Sequence, residues 1–231
     1  MVKDYKFGRQ LYKLNLRSEA DESVFREIFL DRDYMVLDDI ISEASDCILD
    51  IGAHIGLFSM YVRGLNENIK LFAYEPAPEN FLAMKEHFKD NHIDGVLAKN
   101  VAVTGKDGDT VLFLSEDSHN HSVLRFFQKI MKEVKVPTVS MAKIFERDLV
   151  KQGVTSCDLV KMDCEGAEFE ILPSISPEVF KKIGSFYIEY HEYLPKNGRM
   201  DLVKILQKNG FKTRVVESRY DKKFGFILAY R

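Results

Sequence analysis

The stretch Cys47-Ile48-Leu49-Asp50-Ile51-Gly52-Ala53-His54-Ile55-Gly56-Leu57-Phe58-Ser59 narrows the possible folds more than any other part of the chain. An apolar run ends on an acid, glycines follow at 52 and 56, and apolar residues then recur at helical spacing. The pattern reads as a buried strand, a tight turn and the start of a helix. Glycine in such a turn lets a ligand lie against bare backbone, where a side chain would block it.

The same order repeats downstream. Residues 46–50 read as a first strand and 55–65 as a first helix. Residues 69–74 give a second strand that ends at Glu75-Pro76, and 79–91 a helix with Phe81, Leu82, Met84, Lys85 and Phe88 at i, i+3, i+4 spacing. Residues 96–103 read as a third strand, Asp107-Gly108 as a turn and 110–114 as a further strand. A polar stretch at 115–135 breaks the alternation. Beyond it, 134–139 reads as a strand, 141–151 as a helix and 157–162 as a buried strand. Residues 169–175 form a helix stopped by Pro173 and Pro177, 185–189 another strand, and 200–209 a helix closed by Gly210. Residues 211–217 and 224–230 pair as a terminal hairpin. Repeated strand–helix order predicts an α/β fold, a mostly parallel sheet with helices on both faces.

Residues 1–45 stand apart as a helical extension packed on a domain spanning 46–231. A short strand pair is expected within 6–17, then a helix capped by Ser18 and carrying Val24, Phe25, Ile28 and Phe29, then a second helix at 34–42. This segment either covers part of the ligand site or simply packs on the sheet.

Composition bounds the partners. With 45% apolar and 30% charged residues the chain has the make-up of a soluble globular protein. A net charge of −3 offers nucleic acid no broad basic surface, so none is expected as a partner. The three cysteines, Cys47, Cys157 and Cys164, are spaced as buried free thiols rather than as a disulfide or zinc framework. No stretch approaches the roughly 20 apolar residues of a membrane span. A cytoplasmic location is the expectation.

In an open parallel sheet, ligands bind at the carboxyl ends of the strands. Asp50, Glu75, Asn100 to Ala102, the pair Asp163 and Glu165, and the pair Glu189 and His191 all fall at such ends. Glu75 lies one helix and one strand beyond the glycine turn, where an acid accepts hydrogen bonds from ribose hydroxyls. The turn reads D-x-G-x-x-x-G rather than G-x-G-x-x-G, so the pyrophosphate pattern is missing. An acid ending the first strand would also repel a pyrophosphate, whereas it suits the cationic amino-acid part of S-adenosyl-L-methionine.

These strings resemble class I S-adenosylmethionine-dependent methyltransferases, and the FkbM-type family most closely. The resemblance is carried by Leu49-Asp50-Ile51-Gly52-Ala53-His54-Ile55-Gly56, by Ala73-Tyr74-Glu75-Pro76-Ala77-Pro78-Glu79-Asn80 and by Asn100-Val101-Ala102-Val103. Val160-Lys161-Met162-Asp163-Cys164-Glu165-Gly166-Ala167-Glu168 and Ile188-Glu189-Tyr190-His191 complete it. It covers roughly residues 45–195. His54 stands where the family more often has asparagine. The resemblance implies a Rossmann-like seven-stranded sheet whose last strand runs antiparallel, and methyl transfer, usually to oxygen, on small-molecule, sugar or glycolipid-like acceptors.

Roles then follow for single residues. Asp50 is expected near the methionine part of the cofactor, and Gly52, Ala53, His54 and Gly56 at its backbone approach. Glu75 and Pro76 belong at the ribose, Val101 and Ala102 at the adenine. Asp163, Glu165 and His191 form the candidate chemical centre, with Glu165 or His191 as the base that deprotonates a hydroxyl acceptor. Asp163, Glu165, Glu189 and His191 form an oxygen-rich set of the kind that holds Mg²⁺, but no metal is assigned. Lys161, a charge within a buried strand, is expected to reach one of these acids. His119 and His121 are candidates for substrate contact. The rivals are a nucleic-acid methyltransferase, which lacks its N-P-P-Y signature here, an NAD-dependent dehydrogenase, which the glycine spacing disfavours, and a non-catalytic cofactor-binding protein.

Overall fold

In the computed structural model, which describes residues 1–115, 121–125, 130–192, 198–218 and 223–231, the apolar runs assemble into a seven-stranded sheet. The chain begins with a hairpin of β1 (Val2–Phe7) and β2 (Gln10–Asn15). Helix α1 (Glu19–Phe25) follows, capped by Ser18 Oγ, which accepts from Asp21 N. It runs into a π-helical turn, Arg26–Leu30, then a 3-10 turn, Met35–Leu37, and α2 (Asp38–Glu43).

Alternation starts at β3 (Cys47–Ile51) and continues through α3 (Leu57–Leu65), β4 (Lys70–Tyr74), α4 (Pro78–Asp90) and β5 (Val96–Lys99). Strands β6 (Ala102–Val103), β7 (Gly108–Leu114) and β8 (Lys132–Val139) then form a separate small sheet. Helix α5 (Met141–Lys143) continues as a second π-helical stretch, Ile144–Leu149. The main sheet resumes with β9 (Cys157–Met162), α6 (Glu168–Ser174), α7 (Pro177–Phe180) and β10 (Ile183–His191). The chain closes with α8 (Arg199–Lys208), β11 (Lys212–Glu217) and β12 (Phe224–Tyr230).

The strand order is β11-β12-β10-β9-β3-β4-β5. Strands β10, β9, β3, β4 and β5 pair in parallel, and β12 lies antiparallel between β10 and β11. The fold is therefore the predicted one, with its antiparallel C-terminal hairpin. The order switches direction at β3, whose neighbours are β4 on one side and β9 on the other. That switch point is where an open sheet leaves a crevice for a ligand.

Alternate residues of each central strand face opposite ways, and both faces are covered. Leu49, Ile51, Phe72, Val160 and Ile188 pack under Met141, Ile144, Leu172 and Leu206. Ile48, Leu71, Leu159 and Tyr187 pack under Phe58, Tyr61 and Met84, and beyond them Tyr12, Phe25 and Phe29 of the N-terminal segment. Tyr12 Oη donates to Met60 O at 2.7 Å and Tyr187 Oη to Asp33 O at 2.9 Å, which pins this segment to α3 and to the sheet. No helix among the described residues is long and apolar enough to cross a membrane.

Three elements differ from the sequence expectation. The third strand does not run through to residue 103. Glu75 N donates to Lys99 O, and Asn100 Nδ2 then donates to Glu75 O and Pro76 O. This side chain turns the backbone out of the sheet, and Ala102-Val103 pair with Thr138-Val139 instead. The helix expected over 141–151 is π-helical for six of its residues. The strand expected over 185–189 is longer, so His191 is the last residue of β10 rather than a residue past its end.

One carboxylate fixes the start of β3. Asp158 Oδ2 accepts from the backbone N–H groups of Ser45, Asp46 and Cys47 at 3.1, 2.8 and 3.1 Å. Asp158→Ala is expected to lower stability by about 2 kcal/mol in chemical denaturation, with Asp158→Asn in between.

Candidate functional site

The chain turns as soon as β3 ends. Gly52 N and Ala53 N both donate to Tyr74 O, each at 3.0 Å. Gly52 takes φ +76°, and a Cβ there would lie 1.7 Å from Asp163 O, so only glycine fits. His54 is also left-handed, at φ +50°. Its Nε2 lies 3.3 Å from Asp21 Oδ1, while Arg17 Nε holds the other oxygen of that carboxylate at 2.9 Å. The N-terminal segment thus buttresses the turn.

Glu75 closes the turn from β4. Its Oε2 accepts from His54 N at 2.8 Å and its Oε1 from Ala77 N at 2.9 Å. Only 4% of the residue is exposed. Burial pushes its carboxyl up to about 7, against the pull of those two amides. A carboxylate fixed at both oxygens and facing a cleft is placed to receive paired hydroxyls.

Lys161 joins the next two acids. Its Nζ donates to Gly52 O at 2.8 Å and lies 3.5 Å from both Asp50 Oδ1 and Asp163 Oδ2. Burial alone would lower its pKa, but the Asp163 and Asp50 carboxylates outweigh that and hold it above its usual range. Asp50 is wholly buried and accepts from Ser59 Oγ at 2.7 Å. It therefore acts on the site through Lys161 rather than by direct contact.

The third cluster surrounds His191, which is 4% exposed. Its Nδ1 lies 3.2 Å from Glu168 Oε1, and its Nε2 lies 3.6 Å from Glu165 Oε1 and 3.9 Å from Glu189 Oε1. Burial disfavours the cation, but Glu165, Glu168 and Glu189 outweigh it and raise the imidazole well above its ordinary value. The ring thus sits among three carboxylates that favour its cationic form. The ligand atoms of Asp163, Glu189 and His191 lie within 4.8 Å of one another, close enough to hold a metal ion between them. Glu165 takes φ +53° beside Gly166 at φ +98°, a conformation held by Ser122 Oγ donating to Glu165 O at 2.7 Å.

These pieces enclose one cleft of about 970 Å³, open solvent at its mouth included. Gly52, Ala53, His54, Glu75, Pro76, Ala102, Asp163 and Glu165 line it, as do Lys161, Glu189 and His121. Asp50, Gly56, Val101 and His191 stand behind its walls. Gly56, at φ +85°, serves the packing of α3 on α4, since a Cβ there would meet Met84 and Phe88 at 2.8 Å. Val101 turns into the core, and the lining residues beyond Asn100 are Ala102 and Val103. His119 lies outside the described residues.

The sequence reading missed Val24, Glu27, Ile28 and Tyr34, which the N-terminal segment contributes to the cleft. Glu27 carries the one available signal, an acid set within the apolar stripe of Val24, Phe25, Ile28 and Phe29.

A family model described as the methyltransferase FkbM domain matches residues 50–213. The methyltransferase sdnD of Sordaria araneosa is 26% identical over 215 residues, covering 81% of each chain. The 31-O-demethyl-FK506 methyltransferase FkbM of Streptomyces tacrolimicus is 22% identical over 217 residues, covering 81% of this chain and 80% of its own. Among solved structures, a methyltransferase FkbM from Methylobacillus flagellatus KT superposes with a TM-score of 0.55 at 16% identity, over 80% of this chain and 44% of that one.

A raised carboxyl destabilises the folded state where it must ionise. The contribution of Glu75 is full below the ordinary carboxyl range and is lost as pH rises through about 7. Denaturation of the ligand-free protein is expected to show stability falling from pH 5 to pH 8, by at most about 1.4 kcal/mol per pH unit for each such group. The slope should be shallower in Glu75→Gln.

Proposed function

The chain belongs to the FkbM family of methyltransferases, and from that membership we propose that it moves the methyl group of S-adenosyl-L-methionine to a hydroxyl of a small-molecule or sugar-type acceptor by direct displacement. The observation that carries the cofactor reading is Glu75. A buried carboxylate with each oxygen held by a backbone amide stands beside the glycine turn on the wall of the cleft. That cradle fits a ribose and rejects a pyrophosphate.

Bound there, S-adenosylmethionine supplies a methyl carbon activated by a positively charged sulfur. Glu75 would accept from the ribose hydroxyls, Pro76 and Ala102 would border the adenine, and the amides of the Gly52–His54 turn would lie along the methionine part. Asp163 would present negative charge to the cationic end while Lys161 keeps it in place. Glu165, set by His191 and by its left-handed backbone, would border the acceptor. Methyl transfer is a displacement at carbon, so most of the catalysis lies in aligning acceptor, methyl and sulfur. Supporting a hydroxyl acceptor are the several carboxylates on the acceptor side, since an O–H must lose its proton as the new bond forms.

Calorimetry tests the cofactor reading. S-adenosylhomocysteine should bind and NAD should not, and Glu75→Ala should weaken binding by roughly a hundredfold or more. A labelled-methyl screen over hydroxylated acceptors then reads the reaction. Glu165→Ala should spare S-adenosylhomocysteine binding and lower transfer. Absence of binding by S-adenosylhomocysteine would sink the reading.

A further inference from the structure

Glu27 has no counterpart in the roles assigned above. It sits at the start of the π-helical turn Arg26–Leu30 and lines the cleft beside Val24, Ile28 and Tyr34. Its neighbours on that wall are apolar or aromatic. Among the described residues its carboxylate makes no hydrogen bond and no ion pair. Leaving a half-buried carboxylate unpaired costs free energy, so packing alone does not explain an acid at this position. π-Helical turns recur at functional sites, because the wider turn redirects side chains.

The groups that face Glu27 come from every element around that end of the cleft. Lys161, Asp163 and Glu189 line the same cleft as Glu27, and the charges that weigh most on its carboxyl are Asp163, Asp33, Lys161 and His191. Glu189 of β10 senses Glu27 in turn. Glu27 thus shares its field with Asp163, beside which the methyl group would be presented.

The other acids there are already engaged. Asp163 pairs with Lys161, and Glu165 and Glu168 flank the ring of His191. Glu189 lies 3.9 Å from that same ring. We propose, on the reading that the chain methylates a hydroxyl, that Glu27 is the base that takes the acceptor's proton. As the acceptor oxygen bonds to the methyl carbon, the carbon–sulfur bond breaks and its electron pair stays on sulfur. The product is a neutral thioether. The O–H proton passes to the Glu27 carboxylate and from there to solvent.

The electrostatics agree with that role. Burial, Asp163 and Asp33 push the Glu27 carboxyl up to about 8, against the opposing pull of Lys161 and His191. A positive sulfur nearby would draw it down towards neutrality, into the range that serves a base at ordinary pH.

The test uses the whole chain and needs no acceptor. S-adenosylmethionine carries a charge on sulfur and S-adenosylhomocysteine does not. Proton release on binding each is measured near pH 8 by calorimetry in buffers of different ionisation heat. The wild-type protein should release about half a proton more with S-adenosylmethionine. Glu27→Gln should abolish that difference, and Glu27→Asp should keep it with a lower midpoint. Circular dichroism checks that each variant is folded. An equal release with both ligands in the wild-type protein would overturn the inference, as would a difference that survives in Glu27→Gln. A difference lost in Glu189→Gln but kept in Glu27→Gln would move the base to Glu189 and also overturn it. If neither ligand binds, the cofactor reading falls and this inference with it.

Discussion

The site depends on one buried ammonium. Lys161 is paired in register with Asp50 across β9 and β3, and only 5% of its side chain is exposed. An ion at that depth costs several kcal/mol unless opposite charge and hydrogen bonds surround it. Asp50, Asp163 and Gly52 O supply them. Through these contacts one side chain ties together the ends of two parallel strands and the carbonyl of the glycine turn. The steric limit at Gly52 belongs to the same arrangement, because the Asp163 backbone that closes over Gly52 carries a carboxylate held by Lys161.

The fold was legible because its signals are local and repeated. Apolar runs ending on acids, each followed by a helical stripe, specify β3, β4 and β9 without long-range information. The exceptions share one cause. The break after Lys99 comes from Asn100 Nδ2 reaching Glu75 O and Pro76 O, a contact across 25 positions that periodicity does not encode. The π-helical stretches carry the same apolar spacing as α-helices, so their sequences give no separate sign of them.

The candidate site was legible in its residues and less so in its roles. Asp163, Glu165, Glu189 and His191 do converge, because strand ends at one edge of a parallel sheet must lie side by side. Which of them faces the cleft, and which holds a neighbour, depends on side-chain direction and on the distribution of charge. His191 shows this. From sequence it is a histidine beside an acid, whereas three carboxylates surround one ring and favour its cationic form. Glu27 was hidden for another reason. It belongs to a segment outside the motif-bearing core, which tertiary contacts such as the packing of Tyr34 against Phe58 and Tyr187 bring to the cleft.

The distribution of charge also sets the acids of the cleft against one another. Glu27 and Glu75 are raised to about 8 and about 7, and burial together with Asp163 and Glu27 raises Glu189 well above its ordinary value. Near neutral pH the chain must either carry protons on these groups or bury negative charge. Lys161 and His191 lie among them, and each is already committed to partners. A sequence selected for stability alone would place further cations or apolar residues here. A ligand that brings its own positive charge relieves the repulsion directly, and a neutral ligand of the same shape does not. The features that weaken the ligand-free fold as pH rises are thus the ones that favour a cationic methyl donor over its neutral product.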